Sequence, residues 1–145
     1  MPAQEHFASN LIRQKLFSVI DDLNVDRTKK EVFVLFLPDN EDHEIPLLFS
    51  SWIIQSFGYR VIYLGQRMPL INLKETVKQT EATHLVTFFI SSLNAPKIQK
   101  QLDEICEEFP ELKVYFSGNV MTLNAIKVPK NAVWTKDVRD LEKIL

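Results

Sequence analysis

The sequence predicts an α/β protein with one parallel sheet of five strands in the order 2-1-3-4-5 and an extra N-terminal helix. Short β-branched and aromatic runs alternate with amphipathic stretches at the lengths typical of βα units. The chain has 145 residues, of which 46% are hydrophobic. It can therefore bury the core of one compact domain.

The N-terminal stretch 4–23 carries a helical pattern. Apolar side chains recur at spacings of three and four residues from Phe7 to Leu23, with charged residues between them. The polar run NVDRTKK follows and predicts a connector. We therefore expect residues 1–28 to form a helix with its connector, laid against an α/β domain made by residues 29–145.

Five strand-like runs follow, at 31–37, 60–65, 84–90, 112–118 and 132–135. The first, EVFVLFL, is apolar after its first residue, which predicts a strand buried on both faces. Helical stretches lie between and after the strands, at 47–57, 69–80, 94–109, from about 121, and at 136–145. In a flavodoxin-like sheet of the predicted order, ligands bind beyond the carboxyl ends of the strands, between strands one and three. The loops that meet there are 38–46, 91–94 and 117–121.

Composition excludes several classes of function. The net charge of −2 and the pI of about 5.9 give no basic face for nucleic acid. The single cysteine, Cys106, cannot form an internal disulfide and indicates a reducing compartment. The start of the chain lacks a secretory pattern, and no apolar run approaches the ~18 residues of a membrane helix. We expect a cytoplasmic protein with no membrane partner.

Phosphate-binding motifs are absent where such folds carry them. No glycine follows the first strand. A dinucleotide site needs G-x-G-x-x-G there, and a P-loop needs G-x-x-x-x-G-K. No Ser-His-Asp set, carboxylate pair or cysteine cluster indicates catalysis, and His84 is expected to be a surface residue at the start of strand three. The sequence therefore predicts a protein that is not an enzyme.

The loop LPDNEDHEIPLLF after the first strand concentrates charged groups around His43. In one interpretation the side chains of Asp39, Asn40 and Asp42 cap the next helix, and Pro46 occupies its first turn. In the other, His43 ligates a metal and Glu41 accepts its second ring proton, as carboxylates do for ligating histidines. Spacing alone favours capping.

Several longer segments of the sequence resemble a known protein family. NEDHEIP after strand one, FGYRVIYLGQRMPL around strand two and KVYFSG at strand four resemble the cobalamin-binding domain family over about residues 30–140. QEHFASNLIRQKL resembles the last helix of the helical cap in MerR-type transcription regulators that carry such a domain, with Glu5 and His6 matching its Glu-His pair. Residues 1–28 would then be the remnant of that cap, and the DNA-binding helices would lie before residue 1.

The resemblance implies a cofactor site. It makes His43 the lower axial ligand of the cobalt in cobalamin, with Glu41 as its hydrogen-bond partner. The family also places a Ser-x-Leu at the end of strand three, here Ser91-x-Leu93, and a glycine pair at the end of strand four, around the nucleotide tail of the cofactor. The other implied cofactor-binding residues are Asp42, Ser91, Ser117 and Gly118.

Three positions depart from the family pattern. Pro46 stands where the family has glycine, and Ser117 replaces the first glycine of the pair. By loop spacing, the position at which the family has its strand-three serine falls near Phe88 or Phe89 in this chain. A phenylalanine that pointed into the tail pocket would fill it, whereas a phenylalanine on the other face would belong to the core.

The resemblance implies the sensory domain of a cytoplasmic MerR-type transcription regulator, with cobalamin as the effector. DNA would be contacted only through a domain absent from this chain. Two alternatives stay open: a cobalamin-free interaction module with a degenerate pocket, and a corrinoid carrier domain of a methyltransferase or mutase. The apolar stripe of the N-terminal helix predicts self-association.

Overall fold

The computed structural model describes residues 2–91 and 94–145 and has the predicted flavodoxin-like architecture. The strands are β1 (Val32–Phe36), β2 (Arg60–Gly65), β3 (His84–Phe89), β4 (Lys113–Gly118) and β5 (Ala132–Trp134). The helices are α1 (Pro2–Asp21), α2 (Glu44–Ser56), α3 (Leu70–Thr80), α4 (Ala95–Glu108), α5 (Val120–Leu123) and α6 (Val138–Ile144). All strand pairs are parallel and their order is β2-β1-β3-β4-β5, so the predicted sheet is confirmed.

The sheet separates two apolar layers. Every residue of β1 is buried, because β1 is a central strand with helices on both faces. On one face Phe36 and Phe89 pack with apolar residues of α3, α4 and α5. On the other face Leu35 and Val86 pack with residues of α2 and α6. Since side chains alternate along a strand, neighbouring residues of β3 belong to different layers.

Helix α1 lies against α2, as expected for residues 4–23. Arg13 reaches the start of α2, and the ring of Phe17 meets Tyr63 of β2 edge to face, with centroids 6.3 Å apart. The opposite side of α1 exposes Phe7 and Leu11. The division into residues 1–28 and 29–145 stays a prediction. Among the described residues, no helix is both long enough and apolar enough to cross a membrane.

The predicted surface position of His84 is wrong. Its ring is half-buried and stacks on Phe33 at 4.4 Å and on Tyr115 at 5.8 Å between centroids. The reason is topological: β3 lies between β1 and β4, so both neighbouring strands supply an aromatic ring beside it. Burial, together with the charge of Lys113, lowers the pKa of His84.

Candidate functional site

The loop between β1 and α2 presents His43 at the carboxyl edge of the sheet. Helix α2 begins at Glu44, and His43 occupies its N-cap position without a side-chain capping bond. Pro46 lies in the first turn, as predicted, where its missing N–H removes no helical hydrogen bond. The irregular loop is therefore shorter than the expected 38–46. It still includes Asp42, so the helix does not begin early enough to turn His43 away.

The capping interpretation of this loop is wrong. The side chains of Asp39, Asn40 and Asp42 do not cap α2, and Asp42 is instead paired with Arg67. The first turn of α2 therefore does not account for the acids of this loop.

The carboxylate of Glu41 holds the loop together. Its side chain is buried, and Oε1 accepts hydrogen bonds from His43 Nδ1 at 2.7 Å and from Ser91 Oγ at 2.8 Å. The same oxygen accepts from the backbone N–H groups of Asp42 and His43, at 3.0 and 3.1 Å. Oε2 accepts from the backbone N–H groups of Ile90 and Ser91, both at 2.7 Å. One carboxylate therefore ties the loop after β1 to the end of β3.

These bonds also fix the charge of Glu41. Burial by itself would raise the pKa of the carboxyl group. Hydrogen bonds from the Ser91 backbone, the His43 ring, the Ser91 hydroxyl and the His43 backbone outweigh burial and lower the pKa to about 2. Glu41 is therefore an anion at neutral pH, and it can only accept hydrogen bonds.

The orientation of His43 follows from this anion. Because the carboxylate of Glu41 must accept, Nδ1 of a neutral His43 carries the proton and Nε2 keeps its lone pair. The side chain is 55% exposed, and Nε2 has no hydrogen-bond partner among residues 2–91 and 94–145. Metal-ligating imidazoles have this arrangement, with the second ring nitrogen held by a carboxylate. The site thus fits a metal centre that takes one nitrogen ligand from the protein.

Asp42 anchors the loop to the segment after β2. Its carboxylate forms a bidentate ion pair with Arg67, in which Nε and Nη2 donate to Oδ1 and Oδ2 at 2.6 and 2.7 Å. The backbone carbonyl of Asp42 accepts a hydrogen bond from the side-chain amide of Gln66 at 2.8 Å. Arg67 adopts a left-handed backbone conformation, with φ of 52°, which is uncommon for a non-glycine residue. Sequence reasoning missed Gln66 and Arg67 because they lie 24 and 25 positions from Asp42.

The remaining predicted site residues lie at the ends of β3 and β4. Ser91 holds Glu41, and its Oγ is also 3.1 Å from His43 Nδ1. The rest of the predicted Ser-x-Leu motif, including Leu93, lies outside the described residues. Gly118 pairs with Phe89 in the sheet and has a φ of +153°. A Cβ atom there would collide with the Phe89 carbonyl, so Gly118 permits the close approach of β4 to β3.

Phe88 and Phe89 point to opposite faces of β3. Phe89 is buried in the layer of α3, α4 and α5 and is a core residue. Phe88 faces α2 and α6, where it lines a cavity of about 180 Å³ together with Pro46 and Ser117. All three departures from the family pattern therefore meet in one cavity, less than one helical turn from His43 along α2. Among the described residues, no group of three or more His, Cys, Asp or Glu side chains could hold a metal ion.

The flavodoxin-like sheet and the acid–histidine pair after its first strand are the features on which the resemblance to cobalamin-binding domains rests. The chain is 28% identical over 117 residues to the HTH-type transcriptional repressor CarH of Myxococcus xanthus. The matched segment covers 80% of this chain and 38% of that repressor. No protein-family model matches the chain.

Solved structures of corrinoid proteins share the fold. The monomethylamine corrinoid protein of Methanosarcina barkeri superposes with a TM-score of 0.74 at 14% identity, over 99% of this chain and 69% of that one. A cobalamin-binding protein of Desulfitobacterium hafniense DCB-2 superposes with a TM-score of 0.60 at 19% identity, over 80% of this chain and 58% of that one. The methanol:cobalamin methyltransferase complex MtaBC of M. barkeri superposes with a TM-score of 0.65 at 16% identity, over 86% of this chain and 48% of that one.

Proposed function

We propose that this chain binds a corrinoid through His43 and serves as the sensory domain of a cytoplasmic MerR-type transcription regulator. The observation that carries the proposal is the pairing of His43 Nδ1 with the buried Glu41 carboxylate, which leaves Nε2 exposed to accept a metal. The likeness to the repressor CarH supports the regulatory role. DNA would be contacted by segments outside this chain.

Each of these residues would have a separate role in holding the corrinoid. His43 would supply a nitrogen ligand to the cobalt through Nε2, and Glu41 would keep its ring oriented and Nδ1 protonated. Ser91 and the amide of Ile90 would hold Glu41 in place. Asp42, through Arg67, would keep the loop close to the end of β2. When bound, the corrinoid would supply a cobalt centre that takes a nitrogen ligand from the chain.

A route from this site to α1 runs through Glu44, the residue after His43. The Glu44 carboxylate is buried, lies 2.6 Å from the guanidinium of Arg13 in α1, and accepts a hydrogen bond from Tyr63 at 2.9 Å. Any shift of the start of α2 on ligation would therefore move the partner of Arg13. In a regulator, such a shift would bias two arrangements of α1, as a sensory domain requires.

A corrinoid carrier domain of a methyltransferase or mutase is the second candidate, because the methyltransferase complex and the monomethylamine corrinoid protein share this fold. In both candidates His43 has the same role. The third candidate is an interaction module without a corrinoid, which the presence of Phe88 in the cavity favours.

The test is retention of hydroxocobalamin by the purified chain. After incubation and desalting, we expect the wild type to keep the visible spectrum of a bound corrinoid, and His43→Ala to lose or shift it. The matched control is His84→Phe, which changes a histidine at the opposite edge of the sheet and keeps the aromatic stack. A folded wild-type chain that retains neither hydroxocobalamin nor aquacobinamide, a corrinoid without the nucleotide base, would refute the proposal and favour the interaction module.

A further inference from the structure

The cavity beside His43 lies on the side of the site where a ligated corrinoid would need room. Helices α2 and α6 and the ends of β3 and β4 enclose it. A corrinoid that bound His43 on the face carrying its own nucleotide base would have to free that base from the cobalt. The tail with its freed base would then need space next to His43.

The cavity is small for such a tail. An apolar cavity of about 150 Å³ holds one benzene molecule. The 180 Å³ found here has room for about one ring, whereas the base of cobalamin is a fused two-ring system joined to a ribose and a phosphate. The ring of Phe88, opposite Ser117 in the sheet register, occupies the place where a smaller residue would leave more room.

Two of the hydroxyl groups around the cavity are already engaged in hydrogen bonds to backbone carbonyls. The hydroxyl of Ser50 already donates to the Pro46 carbonyl, and that of Thr135 donates to the Phe116 carbonyl. Asp137 adds an acidic residue to the lining, which disfavours a tail phosphate.

We propose that this chain selects corrinoids whose tail lacks a two-ring base, and that Phe88 sets this limit. The inference rests on the proposed ligation by His43. It concerns tail size, whereas the proposed function concerns the metal ligand. The two can therefore fail separately.

The test compares hydroxocobalamin with aquacobinamide, a corrinoid without the nucleotide base. Dissociation constants are measured by visible-spectrum titration of the full chain. The wild type is expected to bind cobinamide at least about tenfold more tightly than cobalamin. The base of cobalamin also competes with His43 for cobalt, so the decisive quantity is the dissociation constant of cobalamin divided by that of cobinamide, compared between wild type and Phe88→Ala. We expect this ratio to be about tenfold lower in Phe88→Ala.

Two further variants complete the design. Phe88→Leu, which removes the ring but keeps an apolar side chain, should change the ratio in the same direction if Phe88→Ala is too unstable to titrate. Phe57→Ala, an exposed position at the end of α2, should leave it unchanged. Tighter binding of cobalamin by the wild type, or an equal ratio in wild type and Phe88 variants, would overturn the selection while leaving ligation by His43 intact. A wild type that binds neither corrinoid would overturn the proposed function and the selection together.

Discussion

At the scale of single residues, Glu41 is the centre of the site. It is a buried anion that accepts six hydrogen bonds from the described part of the chain: from the ring and backbone of His43, from the hydroxyl and backbone of Ser91, and from the backbone of Asp42 and Ile90. A carboxylate held in this way stabilises the loop, orients the ring of His43 and fixes which of its nitrogens is protonated. Structure and proposed ligation thus depend on the same side chain.

Glu41 should make the chain sensitive to acid. Its folded pKa of about 2 lies below the ordinary value of 4.5, so its stabilising effect is complete above pH 4.5 and is lost as pH falls towards 2. We expect urea unfolding to show a loss of about 3 kcal/mol across that range that Glu41→Gln does not show. An unchanged acid profile in Glu41→Gln would contradict the hydrogen-bonded anion.

His84 should also make the stability of the chain depend on pH, in a higher pH range than Glu41 and for a different physical reason. Its folded pKa is lowered from 6.5 by burial and by Lys113, so the neutral ring is the form that the folded state favours. Stability is therefore complete above pH 6.5 and decreases as pH falls through the folded pKa. We expect His84→Phe, which keeps the stack on Phe33 and Tyr115, to remove this decrease in urea titrations between pH 7.5 and pH 5.5, and an identical slope in both proteins would contradict it.

At the scale of secondary-structure elements, α1 has two different faces. One face carries Arg13 and Phe17 and packs on α2 and β2. The other exposes Phe7, Leu11 and Ile12, with exposed fractions of 66%, 46% and 47%. The helix is therefore held to the domain by few groups and keeps an apolar surface.

The ion pair of Arg13 with Glu44 should be the main attachment of α1. Arg13→Ala would leave a buried carboxylate with only the Tyr63 hydroxyl as partner, at a cost of about 1–3 kcal/mol. Burial and the hydrogen bond to Glu44 raise the pKa of Tyr63, so Tyr63 stays a donor. We expect faster amide hydrogen exchange throughout α1 in Arg13→Ala. The control Lys15→Ala should exchange like the wild type, and equal exchange in all three proteins would show that α1 is held by other contacts.

Self-association through the outer face of α1 stays a prediction from the sequence. The exposed side chains of Leu11 and Ile12 would favour association, and a charge at their centre would oppose it. We expect light scattering to give a larger mass for the wild type than for Leu11→Glu at the same concentration. A wild type that is monomeric at high concentration would remove the prediction.

At the scale of the whole molecule, the strand order and the paired faces of the sheet could be predicted from the sequence. The alternation of strands and helices allows few parallel topologies, and the apolar run of β1 identifies a central strand. The pairing of Glu41 with His43 was also predictable, because the two residues are only two positions apart. Element ends were less predictable: α2 starts three residues earlier than expected, because its first turn accepts Pro46.

Long-range partners could not be predicted in this way. Nothing in the spacing of Asp42 and Arg67, or of Arg13 and Glu44, indicates that the side chains meet. Strand alternation required Phe88 and Phe89 to face opposite sides, but only the sheet register decides which one lines the cavity. The placement of Ser91 near a cofactor tail stays a prediction, and its hydrogen bonds to Glu41 were not predictable, because they join the end of β3 to the loop after β1.

Electron paramagnetic resonance tests directly whether His43 Nε2 is the ligand of a corrinoid cobalt. The chain is labelled with ¹⁵N only in its histidines and loaded with cob(II)inamide, which has no base of its own. We predict that the nitrogen splitting of each cobalt line is a triplet in the unlabelled chain, a doublet in the labelled chain, and absent in His43→Ala. A bound spectrum without nitrogen splitting, or the same triplet in both chains, would contradict ligation by this histidine.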